Sequence, residues 1–391
     1  MISYSEALDL VLAEPLKLAA ETVEVAKAHW RFLAREVRAP LPLPRFDNSS
    51  VDGYAFPSLG PERRFRIVNV SAAGDANFSH VLPGQCWRVF TGAPVPPGTY
   101  GVAMQEDVRI DGDWAEPGDV HEGQFIRRAG EEFKAGDVIL SAGGLLTPAA
   151  TALAASVVSE VEVSRLPRVA LLITGSEIAR HGDELEAGQI FESNSFAISA
   201  ALSRLRITPW SVQFVGDDRT ETIAAVRGAI ENCDILIVTG GVSVGDRDFV
   251  KFAFEECGVA QVFWRAALKP GKPVYFGRLP EKAVFGLPGN PMSALVTYTL
   301  LVEPFLKAGM GALEPEPCRI STTILEDFRH APGRTEFVPG VFEESGVRPI
   351  QGQGSHMLGG LARANALIDI PSDCELVPAG SVIHAIPFGV N

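Results

Sequence analysis

Between Arg168 and Gly311, apolar runs alternate with helical stretches, and this alternation constrains the fold more than any other feature of the sequence. Residues 169–173, 235–239 and 283–287 are apolar apart from the closing Thr239, and residues 212–215 form a further strand-like run. Strands of that kind are buried on both faces, which requires helices above and below a mostly parallel sheet. The intervening helices fall at about residues 194–205, 220–230 with Asp217-Asp218 at the start, and 248–256. The apolar stretch 294–306 contains Thr297, Tyr298, Thr299 and Glu303. It reads as a buried helix, because a bilayer span needs about 18 apolar residues.

The flanks follow other patterns. Residues 3–28 read as helical, opened by Ser5-Glu6-Ala7-Leu8 and broken near Pro15. Pro40, Pro42 and Pro44 mark an extended connector. Short strand-like runs at 65–70, 87–90 and 101–107, separated by Pro- and Gly-containing turns, predict a small β domain. Residues 145–156 are Ala-rich and helical, and 157–163 read as a strand leading into Pro167. Beyond Pro315 a period of two returns at 319–325, 335–341, 366–370 and 382–386, which predicts a C-terminal β domain of small-barrel type. A chain of 391 residues has room for two to four such domains.

Charge and cysteine usage exclude several function classes. The formal net charge is −14, so neither nucleic acid nor an anionic membrane is an expected partner. An anionic substrate would need local lysines and arginines, or a bound cation. Cys86, Cys233, Cys257, Cys318 and Cys374 are scattered and form no CxxC, which argues against a disulfide framework or a zinc ribbon. They read as reduced, mostly buried thiols of a cytoplasmic protein. The first ten residues carry Glu6 and Asp9 and no basic region, unlike a signal peptide.

In open α/β sheets, ligands bind outside the carboxyl ends of the strands, and three Gly-rich segments fall there. The first runs Thr239-Gly240-Gly241-Val242-Ser243-Val244-Gly245-Asp246-Arg247-Asp248. Its glycines let backbone approach a ligand, Ser243 can donate a hydrogen bond, and Asp246 and Asp248 can hold a hard cation or cap a helix. The second, Leu268-Lys269-Pro270-Gly271-Lys272-Pro273, fixes two ammonium groups near each other. Such a pair is costly unless an anion sits between; the alternative is two solvated surface lysines. The third, Gly286-Leu287-Pro288-Gly289-Asn290-Pro291-Met292-Ser293, links a strand to a helix with Pro291 in the first turn. Residues alone therefore indicate an anion site with carboxylates able to bind Mg²⁺, suited to phosphate-containing substrates.

These three segments, in this order, resemble the molybdopterin molybdenumtransferase family, which includes the E domains of fusion proteins such as gephyrin. Pro44-Arg45-Phe46-Asp47-Asn48-Ser49-Ser50-Val51-Asp52-Gly53-Tyr54-Ala55, Thr91-Gly92-Ala93-Pro94-Val95-Pro96, Met104-Gln105-Glu106 and Arg128-Ala129-Gly130-Glu131 are similar to further motifs of that family, in collinear order. The resemblance implies a multidomain α/β plus β chain. Residues 1–50 and 130–165 would form a discontinuous N-terminal domain and 51–129 a β domain. A molybdopterin-binding α/β domain would span 166–312, and a C-terminal β domain 313–391.

The implied reaction inserts molybdenum into adenylylated molybdopterin, with Mg²⁺-dependent hydrolysis releasing AMP. Adenylylated molybdopterin and molybdate would be the substrates, and Mg²⁺ the cofactor. The family works as a homodimer, between an upstream adenylyltransferase and downstream cofactor-handling proteins. By resemblance, Asp217, Asp248 and Glu177 fall near the metal and pyrophosphate. Lys269, Lys272, Ser243 and Ser293 match anion- and molybdate-binding positions, with Gly240, Gly241, Pro273, Gly289 and Asn290 around them. Arg334 and Ser355 match the C-terminal domain's contribution to molybdate binding. Asp52 and Thr91 match residues reaching the site from the other subunit. Ser176 departs from the usual Asp, and Arg265 stands where Lys is common. Two other readings remain. A molybdopterin adenylyltransferase shares the α/β fold, but the flanking β domains argue against it. A non-catalytic paralogue or scaffold is favoured only by Ser176.

Overall fold

The computed structural model describes residues 1–58, 63–75, 79–242, 249–351, 354 and 357–389. At its centre is a six-stranded sheet in the order Ser211–Val215, Val169–Thr174, Ile235–Thr239, Lys282–Leu287, Tyr275–Leu279, Ala260–Trp264. The first four strands are parallel. The last two are antiparallel additions, so the sheet is mostly parallel. Alternate residues of each strand enter opposite cores. Val169 and Leu171 pack with Ile198 and Leu202 of helix Asn194–Ser203 on one face. Ala170 and Leu172 pack with Val226, Ala229 and Phe254 from helices Arg219–Asn232 and Val250–Glu256 on the other. Each buried leucine contributes roughly 2 kcal/mol relative to exposure, and burial on both sides accounts for the unbroken apolar runs.

The stretch read as a buried helix is helical throughout: Pro291–Thr297, a wider turn at Tyr298–Val302, then Glu303–Gly309. Pro304 has no N–H to give to the ladder, and the widened turn precedes it. Among the described residues, no helix is long and apolar enough to cross a membrane.

The N-terminal helix is shorter than the sequence pattern suggests. It spans Tyr4–Leu12, held by reciprocal hydrogen bonds between Ser3 and Glu6. Its buried face joins the central core, and the Tyr4 ring meets Phe337 edge-on at 5.0 Å. Residues 20–24 are not helix but a strand, Ala20–Glu24, antiparallel to Glu160–Ser164. Its β-branched Thr22 and Val23 suit a pleated ribbon, and Pro15 has already ended the helix.

Six strands between Gly53 and Pro117 form a second sheet. Within it the run at 101–107 divides, with strand Gly101–Met104 giving way to a turn at Gln105–Asp107. A third sheet comprises Leu268–Lys269, Thr335–Glu343, Ala366–Ile370, Val382–Pro387 and Ile320–Thr323, with Gly346–Pro349 paired to Thr335–Glu343. A bridge between Ile324 and Val347 brings the free edges together around Ile324, Val338, Ile368 and Ile383, giving the barrel-like closure. All five cysteines are free; Cys86 and Cys233 are buried, whereas Cys318 is exposed.

Candidate functional site

The four parallel strands end at Thr174, Val215, Thr239 and Leu287, and the loops that follow converge. Strand order reverses between Val169–Thr174 and Ile235–Thr239, which opens a crevice at their carboxyl ends. A cavity of about 520 Å³ occupies it, lined by Glu177, Asp217, Gly240, Gly241, Pro273, Gly289 and Asn290. Gly240 has φ +86°, and a Cβ there would lie 2.6 Å from the Thr174 carbonyl oxygen, so only glycine lets these two loops meet. Asn194 ties the third loop in, donating from Nδ2 to the Gly289 carbonyl at 2.8 Å.

A second cavity, of about 320 Å³, adjoins the first through Pro273, Pro288 and Asn290. Lys269, Lys272, Ser293 and Arg334 line it. Gly271, at φ +109°, packs so closely on the following helix that a Cβ would lie 2.3 Å from Thr297 Cγ2. This contact sets the lysine-bearing turn against Ser293, which is buried at the helix start. The short strand Leu268–Lys269 runs parallel to Thr335–Glu343 and places Lys269 directly opposite Glu336. Lys269 Nζ lies 2.8 Å from Glu336 Oε1. The two lysines are therefore not an uncompensated cationic pair: Glu336 offsets one of them.

Asp217 and Asp218 divide their labour. Asp218 is the N-cap of helix Arg219–Asn232, accepting a hydrogen bond from Glu221 N at 2.8 Å. Asp217 is not the cap; it turns toward the first cavity. Its carboxylate accepts from Ser176 N at 3.4 Å, and its own N–H donates to Ser176 Oγ at 3.0 Å. Mg²⁺ is commonly held by one or two carboxylates together with substrate phosphate oxygens. Asp217 and Glu177, hard oxygen donors on one cavity wall, fit that requirement. Among the described residues, no cluster of three or more His, Cys, Asp or Glu side chains is assembled. Arg265 lies over the Trp264 ring, 4.1 Å from its centroid.

Asp52 and Thr91 are brought together, but line neither of these cavities. Thr91 donates to Asp52 Oδ1 from its backbone N at 2.7 Å and from Oγ1 at 2.9 Å. Those two bonds, the backbone one foremost, hold the Asp52 carboxyl below its ordinary value. Ser243, Asp246, Asp248 and Ser355 lie outside the described residues. Sequence reasoning missed Glu192 and Asn194 on the first cavity and Glu336 on the second. Glu336 left one signal, a carboxylate directly before the apolar run Phe337-Val338-Pro339-Gly340-Val341.

Fold and site together define a multidomain protein with two adjoining polar cavities at the switch point of an α/β sheet, the second also lined by residues of a β domain. Comparison with known proteins carries this further. Residues 2–158 match the family described as "MoeA N-terminal region (domain I and II)", 170–308 a "Probable molybdopterin binding domain", and 322–388 the "MoeA C-terminal region (domain IV)". The chain is 34% identical to the molybdopterin molybdenumtransferase of Haemophilus influenzae, covering 99% of both chains. It is 34% identical to molybdopterin molybdenumtransferase 2 of Mycobacterium tuberculosis, covering 93% of this chain and 94% of the relative. The crystal structure of a molybdopterin biosynthesis moeA protein from Pyrococcus horikoshii superposes with TM-score 0.86 at 28% identity, covering 99% of this chain and 100% of that one. The chain belongs to the MoeA family, the molybdopterin molybdenumtransferases.

Proposed function

We propose that this chain is the enzyme that inserts molybdenum into molybdopterin during molybdenum cofactor biosynthesis, acting on adenylylated molybdopterin and molybdate. The single observation that carries this reading is the pair of joined cavities, one acidic and one basic, sharing Pro273, Pro288 and Asn290. Such a division suits a phosphate-bearing pterin held through Mg²⁺ beside an oxyanion held by lysines.

In the basic cavity, Lys269, Lys272 and Arg334 supply cationic donors and Ser293 a hydroxyl, which together hold the tetrahedral molybdate. In the acidic cavity, the Gly240-Gly241 and Gly289-Asn290 backbones let the phosphates approach closely. Asp217 and Glu177 would hold Mg²⁺ there, which when bound supplies neutralising charge at the phosphate oxygens. Fixing both substrates across the shared wall turns their encounter into an intramolecular one. Water cleaves the anhydride, AMP leaves, and the dithiolene sulfurs remain facing molybdate. Asp52 and Thr91 belong to this reaction through a homodimer in which they reach the site from the partner subunit. The enzyme works in the cytoplasm, between an adenylyltransferase that makes its substrate and proteins that receive the cofactor.

The test is direct. Purified chain incubated with adenylylated molybdopterin, Mg²⁺ and molybdate should release AMP. Folded, dimeric protein that releases none would reject the reading.

A further inference from the structure

Behind Lys269 stands a buried chain of polar groups that the reaction as described does not use. Glu336 gives Oε1 to Lys269 Nζ at 2.8 Å and turns Oε2 inward. There His330 Nδ1 faces it at 3.5 Å, on a side chain only 1% exposed. Neither Oε2 nor Nδ1 makes a hydrogen bond among the described residues, with each other or with any other group; they face one another as a polar contact at 3.5 Å. On the far side of the ring, Nε2 lies 3.5 Å from Cys374 Sγ. The backbone fixes the ring's place, since His330 N donates to the Glu375 carbonyl at 3.1 Å.

The chemistry of these neighbours assigns the ring proton. An unprotonated Nδ1 would set a lone pair against a carboxylate, so a proton belongs on Nδ1; Cys374 Sγ lies 3.5 Å from Nε2 and donates to the Pro371 carbonyl at 3.5 Å. With the buried ring standing against Oε2, the carboxylate is kept from swinging away, and Oε1 stays on Lys269. The ammonium has three donors; one is spent on Glu336 and the others remain for an anion. A free lysine side chain would have to give up its rotamer freedom at each binding event. Here that ordering is done in advance.

We propose that His330, acting through Glu336, is a positioning residue that holds the Lys269 ammonium in place for the oxyanion. The proposal rests on the reading of the second cavity as the molybdate site. It predicts that loss of His330 weakens molybdate binding without altering turnover once molybdate saturates.

The experiment titrates full-length protein with molybdate by calorimetry and measures AMP release across molybdate concentrations. His330→Leu should raise the molybdate Kd and KM roughly tenfold, the scale of one misplaced charge-assisted hydrogen bond, with kcat unchanged. His330→Asn, whose amide can donate from the place of Nδ1, should recover most of that loss. Glu336→Gln, which keeps shape and removes charge, should behave like His330→Leu. Wild-type affinity in both His330→Leu and Glu336→Gln would overturn the inference while leaving the functional reading intact. So would a loss in His330→Leu that His330→Asn does not recover and that follows the fall in melting temperature. Wild-type protein that binds no molybdate would overturn the functional reading and this inference with it.

Discussion

Ser176 and Asp217 cap one another across two loops: the serine hydroxyl accepts the Asp217 N–H at 3.0 Å, and the Asp217 carboxylate accepts the Ser176 N–H at 3.4 Å. The family resemblance places an aspartate where this chain has Ser176. A serine oxygen serves the backbone amide as well as a carboxylate does, so the loop keeps its geometry. What it lacks is a second negative charge beside Asp217. Ser176→Asp is therefore expected to lower the Mg²⁺ concentration giving half-maximal AMP release, with thermal unfolding unchanged. An unaltered Mg²⁺ requirement would show that position 176 lies away from the metal.

The neighbouring pair Asp217 and Asp218 should separate cleanly on mutation. Asp217→Asn removes a proposed metal-holding charge at constant shape and is expected to cut turnover about a hundredfold. Asp218→Ala removes the helix cap seen at Glu221 N and should cost about 1 kcal/mol of stability with turnover retained. Chemical denaturation and steady-state rates on both variants measure this. A reversed pattern would move the metal-holding role to Asp218.

Asp234 anchors the start of the central sheet. Arg165 grips its carboxylate with Nη1 at 2.7 Å and Nη2 at 3.0 Å, and Arg168 N donates at 2.7 Å. Burial pushes the carboxyl up, but these hydrogen bonds and the guanidinium charge outweigh it and hold it below its ordinary value. A carboxyl so depressed stabilises the fold above its unfolded value of about 3.9 and loses that contribution as pH falls through its folded value. Asp234→Asn is expected to cost about 2 kcal/mol at neutral pH. The gap to wild type should close below about pH 3.9, as urea titrations across the acid range would show. A gap independent of pH would mean that the charge plays no part.

The legible parts of this chain are those set by local pattern. Residues 169–173 and 235–238 are apolar on both faces because helices cover both faces, and that burial is written in consecutive residues. Glycines at strand ends located the crevice, since Gly240 is required where its loop meets Thr174. The illegible parts depend on distant pairing. Residues 20–24 look helical until their partner, Glu160–Ser164, is known. Glu336 belongs to the site only because the register places it opposite Lys269. His330 matters only because it stands behind Glu336. Neither relation leaves a periodic trace.

Asp52 and Thr91 supply the strongest test of a shared site. They satisfy one another through two hydrogen bonds, and the depressed carboxyl is ionised at neutral pH. Both are exposed, and neither lines the two cavities of its own chain. An ionised, preorganised carboxylate on an open surface gains a role if a second subunit brings it to those cavities. Asp52→Ala and Lys272→Ala should each lose most activity when pure. Refolded together in equal amounts, half of the dimers are mixed, and in each of these one of the two sites combines intact Lys272 with intact Asp52. Activity should therefore return to roughly a quarter of wild type. Mixed dimers verified by mass that recover nothing would place Asp52 and Lys272 in the service of one chain alone.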